Sequence, residues 1–208
     1  AIGHGASVRG NSTFATTGAI AVGRGTEAKG VGSIAIGDGT RTSGNNTIAI
    51  GINDPGRTVT GSNAVSIGYQ AGSAENAITL GYRANSGVNS SLNTNSVAIG
   101  GDSDDADEIG AFAGRDGVAI GVDANNTTAG YEGQVSVGAR SSNAGDKAVA
   151  LGADSAVTAH RAVAVGPNAS VLSSQGGIAI GDRASAGTQG LGYQNIIAIG
   201  RESRATEA

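Results

Sequence analysis

Residues 95–103 read NSVAIGGDS, and the centre of this stretch is the unit from which the chain is built. Two branched apolar residues flank one alanine, and a glycine closes the unit. The same pattern returns as SIAIG at 33–37, AVALG at 148–152 and IIAIG at 196–200. A search for apolar, small, apolar, Gly finds twelve full copies, whose glycines are residues 23, 37, 51, 68, 81, 100, 121, 138, 152, 166, 181 and 200.

The spacing of these glycines indicates a solenoid. The shortest recurrent interval is 14 residues, and longer intervals are explained by inserted loops; AIG at 1–3 adds a copy without its first residue. A supersecondary unit that repeats at a fixed short period buries its apolar surface against neighbouring copies. We therefore predict thirteen stacked coils.

The residue types within each coil are those of β-strands. The apolar positions are β-branched in every full copy except at Leu80 and Leu151, and the central residue is Ala, Ser or Thr. Three residues after each glycine another Ala, Ser or Thr follows, with Asp54 the one exception. Each coil is thus expected to contain strand, glycine turn, short second strand and turn. Glycine density and the period of two exclude helix.

Composition and charge limit the classes of function. The 208 residues include 37 glycines and no cysteine, methionine or tryptophan, so a core must be made from Val, Ile and Ala. The net charge is −4 and the thirteen basic residues are scattered, which argues against nucleic acid or an anionic membrane as a partner. No apolar run reaches the roughly 20 residues of a membrane helix.

The two faces of the repeated strand indicate an obligate homo-oligomer. Strand side chains alternate, so each copy places its bulky pair on one face and its small residue on the other, and neither face suits water. We expect Val97 and Ile99 to face the roll interior and Ala98 to face a partner chain, with the opposite assignment left open.

The repeat resembles a known family. SVAIG at a period of 14, followed by elements such as GYQAGSA at 68–74 and GADSAVTA at 152–159, is similar to the YadA-like head of trimeric autotransporter adhesins. The resemblance covers essentially the whole chain. It implies an all-β, left-handed parallel β-roll of about 14-residue coils, assembled as a homotrimer, on the extracellular side of a Gram-negative outer membrane.

The resemblance also implies a function and partners. The expected function is attachment to host extracellular matrix, such as collagen, fibronectin or laminin, or to host cells. We interpret residues 1–208 as one head domain, an excised fragment without signal peptide, neck, stalk or membrane anchor. Insertions at 4–18, 82–95, 101–116 and 182–195 depart from the family's simplest heads, so no ligand contacts are carried over to those loops.

Members of the family that bind collagen carry the motif NSVAIGxxS, which suggests a binding surface. The full match here is Asn95, Ser96, Val97, Ala98, Ile99, Gly100 and Ser103. A second copy has Ile196 in place of the serine and consists of Asn195, Ile197, Ala198, Ile199, Gly200 and Ser203. The roll demands the apolar and glycine positions for architecture alone, whereas the asparagine and the serines are the positions that it leaves free.

Other candidate sites have ordinary explanations. The segment 100–110 holds five acidic residues, but Ala106 stands where an EF-hand needs its third ligand, so a solvated loop is favoured over calcium. Phe14, Phe112, Tyr131 and Tyr193 fall in lengthened repeats, while Tyr69 and Tyr82 follow motif glycines. These aromatics either cap the roll or provide contact points for a host protein or glycan.

No catalytic arrangement can be assembled from the sequence. His4 and His160 are isolated and no cysteine exists, so we expect neither an enzyme nor a cofactor or metal. Hexapeptide acyltransferases advance by 18 residues per coil, which the period of 14 excludes, and no Thr-x-Thr column supports ice binding. A trimeric phage tail fibre or another receptor-binding rod remains the alternative function.

Overall fold

The computed structural model describes residues 1–10, 18–52, 59, 61–86, 95–103, 110–126, 131–187 and 194–206. Its strands are short and the described residues contain no helix. The chain divides into two compact units, Ala1–Gly110 and Ala111–Ala208, which we describe separately. The prediction of a single domain over 1–208 stays a prediction.

The first unit contains two sets of parallel strands. Three-residue strands come from the motif copies, and each pairs in register with the next copy, as Ile34 does with Ile48. They are β2 (Ile20–Val22), β4 (Ile34–Ile36), β6 (Ile48–Ile50), β7 (Val65–Ile67), β8 (Ile78–Leu80) and β9 (Val97–Ile99). Two-residue strands form the opposite wall: β1 (Ser7–Val8), β3 (Glu27–Ala28) and β5 (Arg41–Thr42).

The second unit repeats this arrangement. Its three-residue strands are β10 (Val118–Ile120), β12 (Val135–Val137), β14 (Val149–Leu151), β16 (Val163–Val165), β18 (Ile178–Ile180) and β20 (Ile197–Ile199), all parallel. Its two-residue strands are β11 (Asn125–Asn126), β13 (Ser142–Asn143), β15 (Ala156–Val157), β17 (Ser170–Val171), β19 (Ser185–Ala186) and β21 (Arg204–Ala205). The all-β parallel solenoid is therefore confirmed. Within the described residues all twelve full motif copies form strands, and the shortened copy forms a bridge from Ile2 to Val22.

Small side chains fill the interior of each roll. In every full copy the central Ala, Ser or Thr is buried. In most described coils three further positions are also buried: the residue two positions before the central one, and the residues three and five positions after the motif glycine. Coil 33–42 shows the scheme, with Ser33, Ala35, Thr40 and Thr42 all inside. Hydroxyl groups in the interior also hydrogen-bond directly to one another, as Ser73 does with Thr79 at 2.6 Å.

The expectation about the two strand faces is wrong. Ala98 is buried, whereas Val97 and Ile99 lie on the outside and are only partly covered. The interior takes one layer of mostly short side chains, with Val157, Val171 and Gln134 among the few larger ones, so the bulky pair of each motif strand lies outside. The structure adopts the opposite assignment, with the small residue inside and the bulky pair outside, in all twelve described motif strands.

Candidate binding surface

The bulky pairs form one continuous apolar surface on each unit, which we call the outer aliphatic face. In the first unit it consists of Ile20, Val22, Ile34, Ile36, Ile48, Ile50, Val65, Ile67, Ile78, Leu80, Val97 and Ile99. In the second unit it consists of Val118, Ile120, Val135, Val137, Val149, Leu151, Val163, Val165, Ile178, Ile180, Ile197 and Ile199. None of these side chains is buried, although each is Val, Ile or Leu.

This surface is unusual for an isolated chain. All-parallel sheets are normally covered on both faces, and monomers rarely expose an apolar patch of more than a few hundred Å². Ile50, Ile67 and Ile180, in strands with a neighbour on both sides, are 38%, 38% and 39% exposed. The outer aliphatic face is therefore a surface built to be covered.

The motif glycine is fixed by the stacking of coils. Gly81 has φ of 132°, which side chains rarely adopt, and a Cβ placed there would lie 2.1 Å from the carbonyl oxygen of Gly100. Gly68 would meet Gly81 in the same way. The column of glycines lets the backbones approach at the end of the strands. Gly100 and Gly200 in the collagen-type motif have φ of 148° and 119°, so the backbone conformation there favours glycine.

The asparagine that opens the motif occupies a left-handed turn position. Asn95 and Asn195 are exposed there, with φ of 54° and 56°. The same place in other coils is taken by asparagine at Asn46, Asn63 and Asn76, but also by Asp116, Lys147 and Arg161, all with φ of 52–55°. Asparagine tolerates this conformation better than most residues, but the turn accepts other side chains as well.

The serines of the motif separate into different environments. Ser96 points into the roll with 1% of its surface exposed, and its Oγ is buried without a hydrogen-bond partner. Ser103 is exposed, whereas the Oγ of Ser203 is buried without a partner. The expectation that the asparagine and the serines are free of the scaffold is therefore wrong for Ser96, which lies inside the roll, and stays a prediction for Asn95 and Asn195.

The structure thus divides the candidate residues by location. Ser96, Ala98 and Ala198 lie inside the roll, and Ile196, which replaces the serine in the second copy, is likewise buried. The exposed polar side chains are Asn95, Asn195 and Ser103. The remaining apolar members, Val97, Ile99, Ile197 and Ile199, belong to the outer aliphatic face.

The sequence contains a signal that would have given the faces correctly. Serines and threonines occur two residues before the central alanine, as at Ser33 and Thr47, and also three and five residues after the glycine. In most coils these positions and the central residue are short and can face one another, whereas the two bulky positions have no bulky counterpart. This pattern favours a roll with the short residues inside.

The family comparison agrees with this geometry. A family model described as "YadA head domain repeat (2 copies)" matches residues 17–40, 28–53 and 144–169. Residues 17–53 and 144–169 are therefore similar to YadA head domain repeats. Comparison with curated proteins found no match. The recognised segments contain coils with the bare 14-residue spacing, from Gly23 to Gly37 to Gly51 and from Gly152 to Gly166.

Ion pairs connect successive YadA head repeats at the turn after the motif glycine. Arg140 Nε donates to Asp154 Oδ1 at 2.7 Å, and the side chain of Arg24 pairs with that of Asp38. The hydrogen bond from each arginine lowers the pKa of its aspartate. Both pairs are exposed, so we assign them a role in coil register and little stability.

The acidic segment and the aromatic residues are described in part. Asp102 accepts a hydrogen bond from Arg83 Nη1 at 2.8 Å. Residues 104–109, which hold most of the acidic side chains considered for calcium, lie outside the described residues.

Tyr69 and Tyr82 stack with ring centroids 5.3 Å apart, and the guanidinium of Arg83 lies 5.0 Å from the Tyr82 ring centroid. This stack spans two coils of the repeat. Phe14 and Tyr193 lie outside the described residues, whereas Phe112 is half-buried and forms a bridge with Asn125.

Among the described residues there is no helix with the length and apolar character needed to cross a bilayer.

Proposed function

We propose that this chain is the head of a trimeric bacterial surface adhesin, a binding module without catalytic activity. The outer aliphatic face is the single observation that carries the proposal, because a parallel sheet of Val, Ile and Leu needs a cover over its whole length. The YadA head repeats support three copies of the chain as the source of that cover. The left-handed sense of the roll and the location outside the outer membrane follow from the same resemblance.

A self-association role explains why the face is repeated in every coil. Each coil contributes one bulky pair in the same register as its neighbours, as Val149 pairs with Val163 and Leu151 with Val165. A copy of the same roll presents an identical series of pairs at an identical spacing. A partner without this period would match a few coils at most, so another copy of the chain is the best cover.

The trimer restricts where a matrix ligand can bind. With Ser96 and Ala98 inside the roll and Val97 and Ile99 in the chain interface, the motif residues left to a ligand are Asn95 and Ser103, with Asn195 in the second copy. We propose that host matrix proteins, collagen foremost, contact these turns. Repetition on three chains would raise a weak contact to useful avidity.

A solid-phase assay tests the adhesion proposal. The trimer is titrated onto immobilised collagen, fibronectin and laminin, with wild type compared to Asn95→Gly and Ser103→Ala. Glycine keeps the left-handed turn and removes only the amide, so weaker collagen binding by a normally folded Asn95→Gly trimer supports the site. Asn76→Gly, the same turn in a coil without the motif, is the matched control and should bind as wild type.

The assay separates failure of the site from failure of the function. Unchanged binding by Asn95→Gly and Ser103→Ala would contradict the site. Absence of binding to any of the three matrix proteins by a folded trimer would contradict matrix adhesion and leave the phage-type receptor-binding rod as the better account.

A further inference from the structure

The turns that precede the motif strands contain a column of side-chain acceptors. In the first unit the residue six positions before the motif glycine accepts a hydrogen bond from the backbone N–H of its counterpart one coil earlier. Val31 N donates to Asn45 Oδ1 at 2.9 Å, and Asn45 N donates to Ser62 Oγ at 3.2 Å. Each acceptor thereby joins two successive turns.

The second unit uses the same column with titratable residues. Glu132 N donates to Asp146 Oδ1 at 3.1 Å, and Asp146 N donates to His160 Nδ1 at 3.0 Å. Because Nδ1 accepts, the proton of the neutral imidazole is on Nε2. The ring also packs edge-on against Tyr131, with centroids 4.8 Å apart and planes at 86°. His160 thus contacts two earlier turns at once.

The chemistry of this contact depends on the protonation of His160. Histidine is the side chain that ordinarily changes charge between about pH 5 and 8. The equivalent acceptors in the first unit, Asn45 and Ser62, carry no ionisable group. A protonated imidazole has N–H groups at both nitrogens, so Nδ1 would face the Asp146 N–H as a second donor and the bond would be lost.

The charged groups around His160 offer the cation a new partner. Asp146 and Lys147 lie on the preceding turn, Glu132 lies on the turn before that, and Arg161 is its own neighbour; the following turn, 173–177, contains no charged side chain. Glu132 already pairs with Lys147 at 3.5 Å. The Asp146 carboxylate lies on the same turn as the backbone N–H that loses its acceptor. It is the acidic group that can accept a hydrogen bond from the protonated Nδ1 of His160.

We propose that His160 is a pH-dependent latch between these turns. When neutral, it holds the Asp146 backbone and the Tyr131 ring in register; when protonated, it releases the Asp146 N–H, turns toward the Asp146 carboxylate and loosens the Tyr131 contact. The proposal rests on residues of the second unit alone and is independent of the adhesion function.

Hydrogen exchange of the Asp146 amide tests the latch. Protection, corrected for intrinsic exchange, is compared at about pH 7.5 and 5 in wild type, His160→Asn and His4→Asn. Wild type and His4→Asn should lose at least about fivefold protection in acid, the equilibrium factor for one hydrogen bond. His160→Asn should lose none, because asparagine provides the acceptor that Asn45 provides in the first unit.

Either of two results overturns the proposal: unchanged protection in wild type, or the same acid loss in His160→Asn. If His160→Asn does not fold, nitrogen NMR of wild type decides the matter. Protonation of Nδ1 together with a shift of the Asp146 amide is the expected result, and an imidazole that stays neutral at about pH 5 contradicts it.

Discussion

The hydroxyl of Thr42 donates a hydrogen bond to the hydroxyl of Ser33 at 3.1 Å inside the roll. The two residues belong to opposite walls of one coil, and both are fully buried. A direct bond between these side chains shows that the two walls of this coil are separated by a single layer of short side chains. The bulky pair of the same coil, Ile34 and Ile36, lies outside.

The narrow interior should reject larger side chains. Ala164 pairs in register with Ala150 and Ala179 and is fully buried. Replacing it with leucine should lower the free energy of unfolding by about 1–3 kcal/mol, the usual cost of overpacking. Urea unfolding followed by circular dichroism measures the change. Ala164→Ser, which introduces the residue found at Ser66 and Ser136, should cost less, and equal stability of the two variants would contradict the packing described.

The glycine column should be intolerant of a single methyl group. Gly81→Ala combines a φ of 132° with a Cβ 2.1 Å from a backbone oxygen, so we expect a loss of about 2–4 kcal/mol. Gly25 has φ of 62° and no atom within 4 Å of a Cβ, so Gly25→Asn should be nearly neutral. Thermal melts of the two variants measure the contrast. Equal melting temperatures would show that close backbone approach does not determine the glycine.

The left-handed turn should distinguish asparagine from alanine. Asn95→Ala places an ordinary residue at φ of 54° and should cost about 1 kcal/mol, whereas Asn95→Gly should cost less. Urea midpoints of both variants measure the difference. If alanine proves as stable as glycine, the turn does not explain this asparagine, and a ligand role gains weight.

The exposed ion pairs should give a small, acid-sensitive contribution. The hydrogen bond from Arg140 lowers the pKa of Asp154 in the folded state. The pair therefore stabilises the roll above the unfolded aspartate pKa of about 3.9, and this stability is lost as the pH falls through the lower folded value. Asp154→Asn should be slightly less stable than wild type at neutral pH and equal to it in strong acid. A difference that persists in acid would mean that the substitution acts through something other than charge.

Repetition made the fold predictable, whereas the sequence did not predict which side chains of a repeat face the interior of the roll. Twelve copies of the motif at a recurrent spacing of 14, lengthened in places by inserted loops, indicate strand, turn and period, because such a repeat is typical of a solenoid. The orientation of Ala98 and Ile99 depends on the distance between two walls, which alternation alone does not contain. The role of Asn95 depends on a backbone angle, and that of His160 on a neighbour 14 residues away; both appear only when coils are stacked.

Sedimentation equilibrium measures whether identical chains cover the outer aliphatic face. Wild type should sediment as a stable species of three times 20.0 kDa. The double variant Ile36→Glu, Ile50→Glu places two charges on the outer aliphatic face and should dissociate. The control variant Ser43→Glu places a charge at an exposed position directly after β5 and should remain trimeric. A folded wild-type monomer that is stable at micromolar concentration would contradict the claim.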